Sequence, residues 1–172
     1  MQLRKLMSVP TLSIVTYHHI ADRDPSYPYD PDVADASPAQ FRRQMEMLAR
    51  YCTPIGIDDL IRAIEGGGLP RNAVMVTFDD GYRSCHDVAL PILRDVGVRA
   101  TFFVSTSFIT ERRLYWWERI ALLLSRATRN TASISYPEPL ELDRRDRKIR
   151  QRLIALIKNT PALDVDRFVD GL

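Results

Sequence analysis

Val74-Met75-Val76-Thr77-Phe78-Asp79-Asp80-Gly81-Tyr82 is the stretch that decides how this chain is read. A short apolar run passes directly into two adjacent carboxylates and a glycine. Such a continuous run suits a strand buried on both faces, as in a parallel sheet. Two acidic side chains buried side by side repel, and each is costly unless a cation or a proton compensates. A strand that ends this way points to a site. The bland alternative is that one carboxylate caps the next helix and Gly81 relieves the turn.

Downstream, Val88, Ala89, Ile92, Leu93 and Val96 recur at helical spacing. Ser84, with Asp87 three positions later, marks the start of that helix. Pro91 implies a kink or a later start, and Gly97 a stop. Ala100-Thr101-Phe102-Phe103-Val104 reads as another buried strand. Residues 74–104 therefore predict a strand–helix–strand unit, right-handed and parallel.

Upstream, Leu12–Tyr17 is rich in β-formers and ends in His18-His19. Residues 21–36, with Asp22, Asp24, Pro25, Pro28, Asp30, Pro31 and Asp32, read as a polar loop. Ser37-Pro38-Ala39-Gln40 has the form of a capping box, with Phe41, Met45 and Leu48 following at helical spacing. A second helix is expected over residues 57–64, ended by Gly66-Gly67-Gly68. Beyond residue 110 the pattern predicts a helix over Tyr115–Leu124 carrying Trp116 and Trp117. A short strand over Ser133–Tyr136, a helix capped by Asp143 that runs to Lys158, and a last helix from Asp164 follow.

The chain has 172 residues, of which 45% are hydrophobic and 27% charged, which suits a globular protein with a sizeable core. Its net charge of +2 is too small to argue for a nucleic-acid partner. The run from Asp143 to Arg152 holds six Arg or Lys and two Asp, and its mixed signs fit a solvated helix face. Two cysteines, Cys52 and Cys85, give no disulfide framework and suit a reducing compartment. The start, Met1–Met7, is basic, but Pro10 and the polar Ser13, Thr16, Tyr17, His18 and His19 break the apolar run after it. It makes a poor secretory signal and is too short to span a membrane. A cytoplasmic location and no transmembrane segment are the expectations.

In parallel α/β sheets, functional residues gather at the C-terminal ends of the strands. Three such ends are legible: His18-His19, Asp79-Asp80 and Ser105-Thr106. At the second, one carboxylate can hold a divalent cation while the other serves as general base for a water. His86 reads as a surface or packing residue and Cys85 as a small core residue. Tyr115-Trp116-Trp117 can be a sugar-stacking platform, but the apolar helix that follows favours packing.

Thr77-Phe78-Asp79-Asp80-Gly81-Tyr82 resembles the first motif of the polysaccharide deacetylases, the NodB-homology or carbohydrate esterase family 4 group. Tyr17-His18 resembles that family's first strand end. The helix from Ser37, the Asp58-Asp59-Leu60 helix and the Ala100–Val104 strand fall where the family has such elements. The resemblance covers residues 10–105. It implies an α/β fold, a partial, open (β/α) barrel of the NodB type that lacks its C-terminal strands. Residues 1–110 would be the N-terminal part of that domain, and residues 111–172 a helical insertion or continuation.

The resemblance also implies a hydrolase of carbon–nitrogen bonds that removes N-acetyl groups from the acetamido sugars of a polysaccharide, and a bacterial source. Asp79 matches the catalytic base and Asp80 a ligand of the divalent metal, usually zinc. His18 and Tyr82 are carried as substrate-side residues. The family takes further metal ligands from a downstream His-x-x-x-His motif and its general acid from a later histidine. This chain has only His18, His19 and His86, so the resemblance implies an incomplete, inactive portion of such an enzyme. Rival readings are a non-catalytic module that binds a glycan or a partner, and an aspartate-nucleophile phosphohydrolase. Gly81 disfavours the latter, because that chemistry wants Asp-x-Asp.

Overall fold

A computed structural model describes residues 11–22, 24 and 27–172. The basic start at Met1–Met7, Pro10 and the loop residue Pro25 lie outside the described residues. The chain divides into two units, Met1–Arg23 with Asp32–Ser105, and Asp24–Pro31 with Thr106–Leu172.

In the first unit the β-forming run makes β1 (Leu12–Tyr17), and a two-residue β2 (His19–Ile20) follows at once. From Pro31 onward the segment that reads as polar loop forms regular elements. Pro31–Val33 makes one 3-10 turn, and β3 (Ala34–Ala36) pairs in parallel with β2. α1 (Pro38–Tyr51) begins as expected. The Ser37 hydroxyl accepts from the Gln40 amide, the Gln40 side chain accepts from the Ser37 amide, and Pro38 occupies the first turn. Its buried face is Phe41 and Met45.

β4 (Thr53–Ile55) has no counterpart in the sequence reading. Pro54 argues against a central strand, but β4 lies at an edge, pairing only the first half of β5. α2 (Ile57–Arg62) runs into a π-helical turn, Ala63–Gly67, which breaks where Gly66 takes a φ of 104°. β5 (Ala73–Phe78) is the apolar run that leads into Asp79-Asp80, and all six of its residues are buried. Cys85–Ala89 is a second π-helical turn. It leads into α3 (Leu90–Val96), so Pro91 sits in the first turn of a new α-helix rather than inside an old one. Gly97 closes α3 at a φ of 75°.

β6 (Ala100–Phe102) is shorter and more exposed than expected, since Phe103 and Val104 lie past its end and are about half exposed. The sheet is therefore four-stranded and parallel. β1 flanks β5 along its whole length on one side, and β4 and β6 share the other. α1 and α3 cover one face around Tyr17, Phe41, Met45, Val76, Phe78, Leu93 and Val98. Ile55, Ala73 and Met75 pack on the opposite face with Leu12, Leu60 and Leu69. The alternation along β5 thus serves two cores, which explains why no residue in it is polar except Thr77. The Thr77 hydroxyl donates to Thr16 Oγ1 at 2.9 Å.

The second unit contains α4 (Thr106–Glu111), α5 (Trp116–Arg126), the antiparallel pair β7 (Thr131–Ile134) and β8 (Leu140–Asp143), α6 (Ile149–Asn159) and α7 (Val165–Asp170). Its core is built from Ile120, Ile134, Leu142, Ile149, Leu153, Ile157, Phe168 and Val169. Asp164 caps α7 as the sequence suggests, accepting from the Arg167 amide at 3.0 Å. Asp143 does not cap a helix. It ends β8 and holds Arg145 through backbone and guanidinium, so α6 begins only at Ile149.

Tyr115 stacks on Trp117 at 4.5 Å and on Phe108 at 4.3 Å, and Arg113 sits over Phe108. These rings turn their faces on one another, which favours packing over a sugar platform. No helix among the described residues is long and apolar enough to cross a membrane.

Candidate active site

Parallel pairing brings the strand ends level. Tyr17, Phe78 and Phe102 are register partners, the last residues of β1, β5 and β6. Their rings form a cross-strand ladder, Phe78 lying 5.5 Å from Tyr17 and 4.9 Å from Phe102, with Phe41 edge-on beneath. The Asp79 amide donates to the Tyr17 carbonyl at 2.9 Å, and the Phe103 amide to the Phe78 carbonyl at 2.7 Å. His18, Asp79 and Phe103 therefore start their loops from one rim. Ser105-Thr106 does not belong to it, because β6 ends at Phe102 and Thr106 opens α4.

The turn after Asp79 is tight. The Gly81 amide donates back to the Asp79 carbonyl at 2.9 Å, across Asp80 at a φ of 71°. That is a γ-turn with a positive central φ, the rarer and more strained hand. A non-glycine residue held there is the kind of outlier that concentrates at functional sites. Gly81 follows at a φ of 76°, packed so closely that a Cβ would stand 3.1 Å from Val104 Cγ1. Asp79 and Asp80 are both half-buried. Burial lifts Asp80 above the usual carboxylate range; the His18 charge opposes this, and Asp79 adds to it. His18 and the Asp79–Asp80 pair thus share one electrostatic environment.

His18 and His19 are held from two sides. Asp35, on β3, accepts from the His18 amide at 2.5 Å and the His19 amide at 3.3 Å with one oxygen, which also lies 3.4 Å from His18 Nδ1. Opposite, the Cys85 thiol donates to the His18 carbonyl. Ser84 Oγ lies 2.7 Å from His19 Nδ1 and accepts from the Ile20 amide at 3.1 Å. Ser84 therefore spends its hydroxyl on β2 and does not cap the helix after it, as its spacing had suggested. The Tyr82 ring packs 5.2 Å from His19. His19 is buried, and burial lowers its pKa against the raising effect of Asp35. Burial likewise pushes Tyr17 to about 12 and Cys85 to about 11. His86 is exposed and pairs with Asp87.

Asp35 is the residue that sequence reasoning missed. It falls within the stretch whose composition predicts a loop, and only the β2–β3 pairing brings it under the histidines. A catalytic zinc site draws three protein ligands. Among the described residues no three His, Cys, Asp or Glu side chains are grouped to hold an ion. The donor set of the described residues does not fit the metal that the motif implies.

Residues 66–135 match the family model of the polysaccharide deacetylases, a span that holds β5, the Asp79–Asp80 turn and β6. The resemblance to the polysaccharide deacetylases holds. Among solved structures, a deacetylase PplD from Streptococcus pyogenes, in complex with acetate, is 24% identical with a TM-score of 0.51. The match covers 66% of this chain and 53% of that one. IcaB from Ammonifex degensii is 22% identical with a TM-score of 0.52, covering 68% of this chain and 50% of that one. These likenesses show an α/β fold of the deacetylase kind. The chain spans about half the length of the solved structures it matches. No curated protein matches the sequence.

Proposed function

We propose that the chain is a portion of a metal-dependent polysaccharide deacetylase, one that hydrolyses N-acetyl groups on the acetamido sugars of a glycan. The observation that carries this is the Asp79–Asp80 turn, strained at Asp80 and level with His18, inside the stretch that matches the family. Asp79 is the general base, a reading supported by its position at the strand ends, where its backbone amide donates to the Tyr17 carbonyl that ends β1. Asp80 is the carboxylate for a divalent cation such as zinc, which would polarise the acetyl carbonyl. Its environment suits that role, because a half-buried carboxylate with a raised pKa gains most from a cation. His18 and Tyr82 face substrate. The four-stranded parallel sheet is read as part of an open (β/α) barrel, and the protein as cytoplasmic.

The absence of a three-donor group among the described residues supports the reading that this chain on its own does not turn over. Titration with N-acetylated and de-N-acetylated chitooligosaccharides, followed by NMR, tests the site. The acetylated oligomer is expected to shift His18 and Tyr82, and the deacetylated one to leave them unmoved. Identical behaviour of the two oligomers overturns the substrate class. Acetate release that Asp79→Asn abolishes overturns the claim that the chain is incomplete.

A second reading, a non-catalytic module for a glycan or a partner, draws support from the exposed Phe103 and Val104 beside Gly81. It is distinguished by glycan binding that survives both Asp80→Ala and a chelator.

A further inference from the structure

A cavity of about 290 Å³ lies in the second unit, among the end of α5, the β7–β8 hairpin and the start of α6. Its floor is apolar, formed by the buried Ile120, Leu142, Ile149 and Leu153. Arg126, Arg129 and Arg144 also line it and are exposed. Five of the other eight arginines of this unit have carboxylate partners, while Arg112, Arg147 and Arg167 form no ion pair among the described residues. Arg113 and Arg119 bind Asp166, Arg145 binds Asp143, Arg152 binds Asp146, and Arg150 binds Asp30. Among the described residues no carboxylate forms an ion pair with the three arginines at the cavity.

Arg126 has a local role, since it sits in the last turn of α5 where a cation balances the helix dipole. Arg129 and Arg144 have none. They lie on opposite sides of the hairpin's open end, where the Arg144 amide donates to the Asn130 carbonyl at 2.7 Å. That bond holds the two arginine-bearing segments together.

An apolar floor under unmatched cations is complementary to a molecule with an alkyl tail and an anionic head. We propose that this cavity binds a medium-chain alkyl carboxylate, its tail on Ile120, Leu142, Ile149 and Leu153 and its head at Arg129 and Arg144. The volume stands at the lower end of small-molecule pockets, about 300 Å³, so one short chain fits and a two-chain lipid does not. The guanidinium fork matches a carboxylate in bidentate geometry and repels a cationic head. The site is separate from the Asp79–Asp80 turn and does not depend on how that turn is read.

Calorimetric titration of the full chain with sodium hexanoate, octanoate and decanoate, all below micelle formation, tests the proposal. One decanoate should bind per chain, and each methylene removed should weaken binding by about three- to fourfold. Decyltrimethylammonium should bind at least about tenfold more weakly than decanoate, because its head meets arginines rather than carboxylates. The R129E/R144E variant should reverse that preference, and Ala132→Trp, at the lining, should block both ligands. Equal binding of the two head groups, affinity independent of chain length, or no saturable binding overturns the proposal. If the double variant fails to fold, the head-group comparison on the unaltered chain still decides.

Discussion

Gly81 meets Val104 so closely that a single added carbon would stand 3.1 Å from Val104 Cγ1. This contact ties the turn after Asp80 to the segment beyond β6, and it sets a limit on what residue 81 can be. Gly97 has nearly the same φ, 75° against 76°, but nothing stands within 4 Å of its Cβ position. The two glycines separate backbone strain from crowding. Gly97→Ala is expected to cost about 1–2 kcal/mol, the price of a left-handed non-glycine residue. Gly81→Ala should cost measurably more, because Val104 must also give way. Urea unfolding of both variants checks the order, and equal losses would show that Val104 moves freely.

Ser84 and His19 give a prediction about pH. Ser84→Ala removes the partner of a buried imidazole and of the Ile20 amide, an expected loss of about 1–3 kcal/mol. His19 has a pKa lowered by burial from its ordinary 6.5. The unfolded chain therefore takes up its proton first as pH falls. The stabilisation is complete above about 6.5 and is lost as pH drops through the lowered folded value. His19→Gln should flatten this part of the stability curve. A curve equally steep in the variant would assign the acid loss to another group.

How much of this was legible depended on whether the signal was local. β5, the α1 capping box, the Gly97 stop and the Asp164 cap are each written within a few residues, and each is present. β2, β3 and β4 are not, since strands of two or three residues carry no periodicity and exist through pairing with distant partners. Ser84 looked like a cap because its spacing to Asp87 is that of one. Its hydroxyl is taken instead by residues 64 and 65 positions away. The same limit applies to the site. Asp79 and Asp80 announce themselves by adjacency after an apolar run. Asp35 reaches His18 only through β3, and no spacing in the chain foretells it.

The two thiols should react very differently. Cys85 is buried and pushed up to about 11, while Cys52 is half-exposed. At pH 8 only about one Cys85 thiol in a thousand is ionised, and the thiolate is the reactive form. Ellman's reagent should therefore label one thiol per folded chain quickly, with mass spectrometry placing it at Cys52. Cys85 should react only on unfolding, and more readily in Ser84→Ala if that change loosens the turn. Rapid labelling of Cys85 in the folded chain would mean that the π-helical turn opens far more often than its packing implies.

Asp30 and Arg150 make the last prediction, because their ion pair is almost fully removed from water. Their side chains are 5% and 18% exposed, and burial lowers the proton affinity of Arg150. The Asp30 amide also donates to the buried Glu118 at 2.6 Å, so the short segment around Asp30 is fastened to α5 and α6 together. Removing one member of a buried pair strands the other charge, which costs about 3–5 kcal/mol, more than the pair itself contributes. Asp30→Ala is expected to lose that amount. Replacing both residues with apolar ones of similar size, Asp30→Leu with Arg150→Met, should recover much of it. Both tryptophans of the chain, Trp116 and Trp117, lie on α5 in the same unit. Their fluorescence follows this unit's unfolding directly. A single replacement that leaves the tryptophan transition in place would show that the pair is not what fastens residue 30 to the helices.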